Sequence, residues 1–163
     1  RAAMGNPDPR SPIPDPLAIH LAHPERTVEA EAVRAVIRRA VEGEGFTITD
    51  LSVVLADHAT VHALNREWLG HDYETDVVSF PLDDEAFARN EVDGEVYVDL
   101  DTAAERAAEF GATFESEALR YVVHGLLHLM GHDDATDADR AAMHTLEDRY
   151  LGVEERKKGG KEA

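Results

Sequence analysis

The chain contains no cysteine, which excludes disulfide bonds, cysteine-bound iron–sulfur clusters and thiolate zinc sites. It also lacks any apolar run close to the ~20 residues that a membrane-spanning helix needs. The N-terminus does not show the charged and then apolar segment that is typical of a secretory signal. We therefore expect a cytoplasmic protein without a membrane partner.

Basic residues are scarce. The chain has 16 lysine and arginine residues against 34 acidic residues, a net charge of −18, and its lysines are confined to Lys157, Lys158 and Lys161. A partner bound through its phosphate backbone ordinarily meets a basic surface. The composition favours a solvated acidic surface, and the alternative is that the chain binds no nucleic acid. Net charge does not separate the two, because a local arginine cluster can lie within an acidic surface.

The composition divides the chain into three segments. Residues 1–16 hold five of the seven prolines and few large apolar residues, which predicts a flexible leader outside the fold. Residues 152–163 have the composition of a flexible charged tail. The remaining residues, 17–151, are sufficient for one compact domain with its own core, and we expect this single domain to carry the hydrolase site.

Hydrophobic periodicity predicts the order β-α-β-α-β-β-α-α-α. The strands are expected near residues 17–23, 46–56, 75–82 and 94–100. A long and mostly apolar helix is expected in the C-terminal half, from a cap at Thr113 to a stop at Gly131. This order indicates an α+β fold, with a four-stranded sheet and about five helices packed on it.

A histidine pair lies within this long helix. His124 and His128 are four residues apart, so on a helix their Cβ atoms are ~5–6 Å apart on one face and both imidazoles can bind one ion. A bare pair is weak support, because nine histidines in 163 residues produce roughly half of one such pair by chance. His58 and His62 form a second pair with no helix stop or third ligand after it, and we interpret that pair as polar surface.

The third ligand is expected just after the helix. An unbroken helix would place His132 ~12 Å from His124 along its axis, so the chain must turn at Gly131, which tolerates a positive φ. Asp134 is the expected ligand, and His132 and Asp133 remain open. Three protein ligands leave one position for water, as in catalytic zinc sites. We expect one zinc ion per chain, although iron, cobalt or nickel would also suit two histidines and a carboxylate.

Three segments together resemble the YbeY endoribonuclease family, whose members are metal-dependent factors of ribosomal RNA maturation. They are HGLLHLMG with its acidic turn, residues 64–84 (LNREWLGHDYETDVVSFPLDD) and residues 94–111 (GEVYVDLDTAAERAAEFG). The last is similar to the family's Gly-Asp strand and following helix, with Glu95 in place of the aspartate. The resemblance covers most of residues 64–151 in the family's order, and it implies a small mixed sheet with helices around it.

The resemblance implies a single-strand-specific metallo-endoribonuclease. Such an enzyme would act on ribosomal RNA at the 3′ end of the small-subunit RNA and in ribosome quality control, with the small subunit and not DNA as its partner. The chain departs from the family at two positions. Asp134 stands where the family usually has its third histidine ligand, which would weaken the pull of the site on bound water. Leu69 stands where the family has an arginine expected to help with phosphate.

Arg120, one helical turn before the histidine pair, and His71 are the candidates to contact phosphate. Asp76 and Ser79 are expected to orient their strand rather than take part in the chemistry. Two other functions remain open. A zinc peptidase would need a glutamate directly after the first histidine, where this chain has Gly125. A ribosome-assembly binding protein would use the metal only to hold its last helices.

Overall fold

A computed structural model describes residues 15–69 and 76–152. The strands are β1 (Leu17–Leu21), β2 (Thr47–Ala56), β3 (Val77–Pro81) and β4 (Glu91–Asp99). The α-helices are α1 (Ala30–Gly43), α2 (His58–Leu69), α3 (Leu100–Phe110), α4 (Phe114–Leu129) and α5 (Asp137–Leu151). This order confirms the predicted one, with boundaries that differ by a few residues.

The four strands form one mixed sheet in the order β1-β2-β4-β3. Strands β1, β2 and β4 are parallel, with Val53 of β2 beside Val96 of β4. Strand β3 is antiparallel to β4 and places Ser79 on the other side of Val96. The fold is therefore α+β with a mixed four-stranded sheet and five α-helices in the described ranges, as the sequence and the family resemblance predicted.

Helix α4 lies at the centre of the packing. Thr113 caps its first turn as predicted, because its hydroxyl accepts a hydrogen bond from the Ser116 amide. Helix α4 packs on β3 and β4 and also contacts α1, α3 and α5. Its fully buried apolar residues include Val122, Val123, Leu126 and Leu127. The histidine pair is thus carried by a helix that is anchored in the core by the sheet and by three other helices.

Gly125 allows α4 to lie directly against the sheet. A Cβ atom at this position would be 2.6 Å from Val96 Cγ1 and 3.0 Å from Val77 Cγ2, which is closer than packed carbon atoms approach each other. The Ser79 hydroxyl donates a hydrogen bond of 2.9 Å to the Gly125 carbonyl at the same point. Ser79 therefore joins β3 to α4, in agreement with the orienting role expected for it.

Part of the predicted leader is attached to the fold. The amide of Leu51 donates to the Pro16 carbonyl, and the Asp15 carboxylate accepts from Arg34 and from the amide of Leu17. The boundary predicted after residue 16 is thus too late for these two residues. Residues 1–14 of the predicted leader and 153–163 of the predicted tail lie outside the described residues. Within the described ranges, no helix combines the length and apolar character needed to cross a bilayer.

We expect Gly125→Ala to lower the free energy of unfolding by ~1–3 kcal/mol, because the added methyl group would force α4 away from Val96. The sign of this change is diagnostic, since alanine is favoured over glycine by ~1 kcal/mol in a helix that lacks such a contact. Urea unfolding followed by circular dichroism measures the effect. A stabilised variant would show that α4 does not need this close approach.

Candidate metal centre

Helix α4 ends in a Schellman motif that turns the chain back. The amide of Gly131 donates to the His128 carbonyl, and the amide of His132 donates to the Leu127 carbonyl. Gly131 has a φ of +96°, a value that glycine adopts without the steric cost of a side chain. The turn predicted at Gly131 is therefore present, and it directs the following residues back along α4.

A capping box fixes the other end of the short connection to α5. The Thr136 hydroxyl accepts from the Asp139 amide, and the Asp139 carboxylate accepts from the Thr136 amide. The Arg140 guanidinium also donates to the Asp134 carbonyl at 3.1 Å. Asp134 is thus held in a seven-residue connection, residues 130–136, whose two ends are both hydrogen-bonded.

The donor atoms of His124, His128 and Asp134 converge. The two Nε2 atoms of the histidines are 3.1 Å apart, and Asp134 Oδ2 lies 3.3 Å from His124 Nε2 and 3.4 Å from His128 Nε2. Within the described ranges, this is the group of three potential ligands that can hold a metal ion. The structure therefore brings together the residues predicted as ligands.

The triangle of donor atoms fits a tetrahedral metal ion. Ligands at ~2.1 Å from a tetrahedral centre are ~3.4 Å from one another, which matches the three separations observed here. Two imidazole nitrogens and one carboxylate oxygen are suitable donors for zinc and for other divalent first-row metals. The side chains of His124, His128 and Asp134 are 23%, 31% and 38% exposed, so the group is open to solvent on one side.

The alternative third ligands are directed elsewhere. His132 Nε2 lies 2.7 Å from Glu44 Oε1, and the same carboxylate accepts a hydrogen bond from the Tyr150 hydroxyl. The Asp133 carboxylate accepts from the amide of Asp134 at 2.8 Å. Of the three candidates after Gly131, Asp134 is the one whose side chain reaches the histidine pair.

The other nitrogen of His124 is held by an acid of α5. Its Nδ1 lies 2.8 Å from Oε2 of Glu147, a residue that is only 2% exposed. Burial alone would lower the pKa of the His124 imidazole. The hydrogen bond to Glu147 and the charges of Glu147, Asp76 and Asp134 outweigh this effect and raise the pKa above its ordinary value.

Arg120 occupies a different setting from the one that the sequence suggested. Its guanidinium donates to Glu147 at 3.0 Å and to Asp148 at 2.7 Å, and the residue is only 5% exposed. An arginine on the same face as His124 was expected to contact phosphate. This face is instead covered by α5, so the guanidinium is inside the protein and engaged by two carboxylates.

Glu147 was not anticipated from the sequence, although a signal for it exists. It lies four residues after Met143 and three before Tyr150, which are both buried, so it occupies an apolar face of α5. An acid at a core position requires a hydrogen-bonded or charged partner. That requirement predicts a cation or imidazole opposite α5, without identifying Arg120 and His124 as the partners.

Asp76 and the His58 pair border the sheet at other points. The backbone carbonyl of Asp76 accepts from the amide of Asp99, and burial raises the pKa of the Asp76 carboxyl group. His58 Nδ1 lies 2.6 Å from the buried carboxylate of Asp99, and its ring is 6.0 Å from that of His62. His71, the second candidate for phosphate contact, lies outside the described residues.

A cavity of about 250 Å³ adjoins the donor triangle and shares the side chain of His128 with it. Its lining includes Ser79 and Pro81 of β3, Phe87, and the 93%-buried Asp93. Phe87 is 53% exposed, although its ring also packs against Gly131 at the turn after α4. A group that enters this cavity would therefore lie next to the proposed ligands.

Comparison with known proteins gives consistent matches over nearly the whole chain. The family model described as "Endoribonuclease YbeY" matches residues 19–153. The chain is 52% identical over 145 residues to an endoribonuclease YbeY of Salinibacter ruber, which covers 86% of this chain and 92% of the relative. It is 39% identical over 127 residues to an endoribonuclease YbeY of Chlorobaculum tepidum, which covers 78% and 90%.

A solved structure shows the same architecture. The solution structure of TM1509 from Thermotoga maritima matches with a TM-score of 0.55 and 31% sequence identity, covering 83% of this chain and 86% of that one. The family match over residues 19–153 includes the segment that carries His124, His128 and Asp134.

We expect Asp134→Asn to weaken binding of Zn²⁺, because a neutral amide replaces the charged carboxylate that is one of the three metal donors. The loss should exceed the ~10–100-fold that is typical when a residue hydrogen-bonded to a ligand is removed. Competition with a chromophoric chelator measures this affinity. Asp133→Asn is the matched control, one residue away, and should leave the affinity within about threefold. Equal losses in both variants, or a loss confined to Asp133→Asn, would contradict the assignment of Asp134.

Proposed function

Because this chain belongs to the endoribonuclease YbeY family, we propose that it is a metal-dependent endoribonuclease that cleaves single-stranded RNA. The proposed metal dependence is supported by the donor triangle of His124, His128 and Asp134, whose donor atoms are 3.1–3.4 Å from one another. Zinc is the ion that we propose, one per chain, from the two imidazole donors. The RNA would be ribosomal, which places the protein in the cytoplasm.

The openness of the site supports a catalytic use of the metal. A structural zinc ion is usually enclosed by four protein ligands, whereas three ligands and one open position are typical of catalytic sites. The described residues contribute three partly exposed donors, and one of them, His128, also lines the neighbouring cavity. When bound, a divalent ion supplies Lewis-acid polarisation of a phosphoryl oxygen and a water of lowered pKa.

The size of the cavity supports a single-stranded substrate. Its volume of about 250 Å³ can accept a single base of an RNA strand. Bases that are not paired can be splayed out and bound separately, which a duplex does not allow. The Phe87 ring in the wall offers a face for such a base, since stacking on aromatic side chains does not depend on base identity.

The proposed place of action follows the family. We propose maturation of the 3′ end of small-subunit ribosomal RNA and ribosome quality control, with the small subunit as partner and no DNA substrate. His71 stays a proposal for phosphate contact. Arg120 is not proposed for that role, because both of its terminal nitrogens donate to carboxylates inside the protein.

Peptide hydrolysis is disfavoured by packing as well as by sequence. The general base of a zinc peptidase would stand at Gly125, directly after the first histidine. The structure has no room there even for a Cβ atom, because Val96, Val77 and Ser79 surround the position. A ribosome-assembly protein with a structural metal is the remaining alternative, and RNA cleavage separates it from a nuclease.

We expect the protein to cleave a single-stranded RNA oligonucleotide in the presence of Zn²⁺, and His128→Ala to reduce the rate by at least ~100-fold while the protein stays folded. Gel analysis of end-labelled RNA and circular dichroism measure the two properties. His20→Ala, at an exposed position of β1, is the control and should retain activity.

Three outcomes would contradict this proposal. Undiminished cleavage by His128→Ala would exclude the triangle as the nuclease site. Unfolding of His128→Ala, together with no cleavage by the unaltered chain, would favour the structural metal. Cleavage of peptides without cleavage of RNA would favour the peptidase.

A further inference from the structure

We propose that Glu147 is a positioning residue for His124, and that Arg120 in turn sets the orientation of Glu147. This inference rests on the proposed metal centre. The contacts form a continuous chain: Arg120 donates to Glu147 Oε1 at 3.0 Å, and Glu147 Oε2 lies 2.8 Å from His124 Nδ1. The same imidazole reaches the donor triangle through its other nitrogen.

The cost of burial indicates that these charges serve the site. Glu147, Asp148 and Arg120 are 2%, 3% and 5% exposed, so three charged groups have been removed from water. Buried ion pairs of this kind contribute little net stability compared with apolar residues of similar size. Apolar packing between α4 and α5 would thus hold the two helices together equally well, but it would leave His124 Nδ1 without a partner.

The carboxylate selects the tautomer of His124. An ionised carboxylate accepts hydrogen bonds and cannot donate them, so the proton of the neutral His124 ring is assigned to Nδ1. The lone pair then lies on Nε2, the atom that is 3.1 Å from His128 Nε2 and 3.3 Å from Asp134 Oδ2. A carboxylate behind a ligand histidine is known to fix the ring and to make it a stronger donor.

Arg120 contributes through the fork of its guanidinium. One end donates to Oε1 of Glu147 and holds that carboxylate with Oε2 turned toward His124, and the other end donates separately to Asp148. His144 lies on the same side, with Nδ1 3.4 Å from Glu147 Oε1. Both oxygens of Glu147 therefore have partners: Oε1 faces Arg120 and His144, and Oε2 faces His124.

Glu147→Gln tests this arrangement, because glutamine has one acceptor oxygen where the carboxylate has two. The amide oxygen of glutamine can accept a hydrogen bond from Arg120 or from His124, but not from both. The amide NH₂ must then face the N–H donor of the remaining residue. We expect the affinity for Zn²⁺ to fall ~10–100-fold, as measured by competition with a chelator. Circular dichroism and thermal unfolding verify that the variant is folded.

Asp148→Asn is the matched control. Asp148 is the next residue of α5, is equally buried and binds the same arginine, but of the two acids only Glu147 contacts His124. A purely structural role for the cluster would make both substitutions weaken Zn²⁺ binding alike. Positioning by Glu147 predicts a change of less than about threefold for Asp148→Asn, even where both variants lose stability.

The tautomer of His124 can also be measured directly. Nitrogen-15 NMR of the metal-free protein, full chain, at a pH high enough for the ring to be neutral, should show His124 protonated at Nδ1, and Glu147→Gln should shift it toward protonation at Nε2. Protonation at Nε2 in the unaltered protein would overturn the inference, and so would an unchanged Zn²⁺ affinity in folded Glu147→Gln. If the unaltered protein binds Zn²⁺ with His124 in the expected tautomer but cleaves no RNA, only the proposed function fails.

Discussion

Helix α4 rests on strands β3 and β4 at a distance that only an unsubstituted backbone permits. Gly125 faces Val96 and Val77 without a side chain, and Ser79 hydrogen-bonds to its carbonyl. Because any rotation of α4 would bring a side chain into this contact, the direction of each face of the helix is defined. His124 and His128, one residue before and three residues after Gly125, lie on an adjoining face, so core packing determines where their imidazoles point before any ion is considered.

The charges around the site are divided between interior and surface. The net charge of the chain is −18, and one of its few cations, Arg120 of α4, is bound to two carboxylates of α5 inside the protein. It cannot also attract a polyanion from solution. The donor triangle, by contrast, is partly exposed to solvent, and its His128 lines the adjoining cavity. The proposed metal ion would thus be the positive charge that an RNA phosphate meets there, which suits a protein with an otherwise acidic composition.

The fold was predictable because its signals are local. Apolar periodicity, the cap at Thr113 and the stop at Gly131 each depend on residues within a few positions, and the structure agrees with all three. The turn at Gly131 also favoured Asp134 as the third ligand, although it left His132 and Asp133 open. Contacts between distant segments were not predictable, since Glu147 is 23 residues from His124 along the chain. The setting of Arg120 was misjudged for this reason, because sequence identifies the face of a helix but not what covers it.

Glu147 and Asp134 both lie beyond the stop of α4, so the last part of the described chain completes a site that the core helix begins. A local opening that detaches α5 and its connection would leave the sheet and α4 folded but remove one donor and the support of another. The apparent affinity for the ion would then equal the intrinsic affinity multiplied by the fraction of molecules with α5 docked. Conversely, binding of the ion would favour the docked position of α5, so the fraction of molecules with α5 docked would rise with the metal concentration.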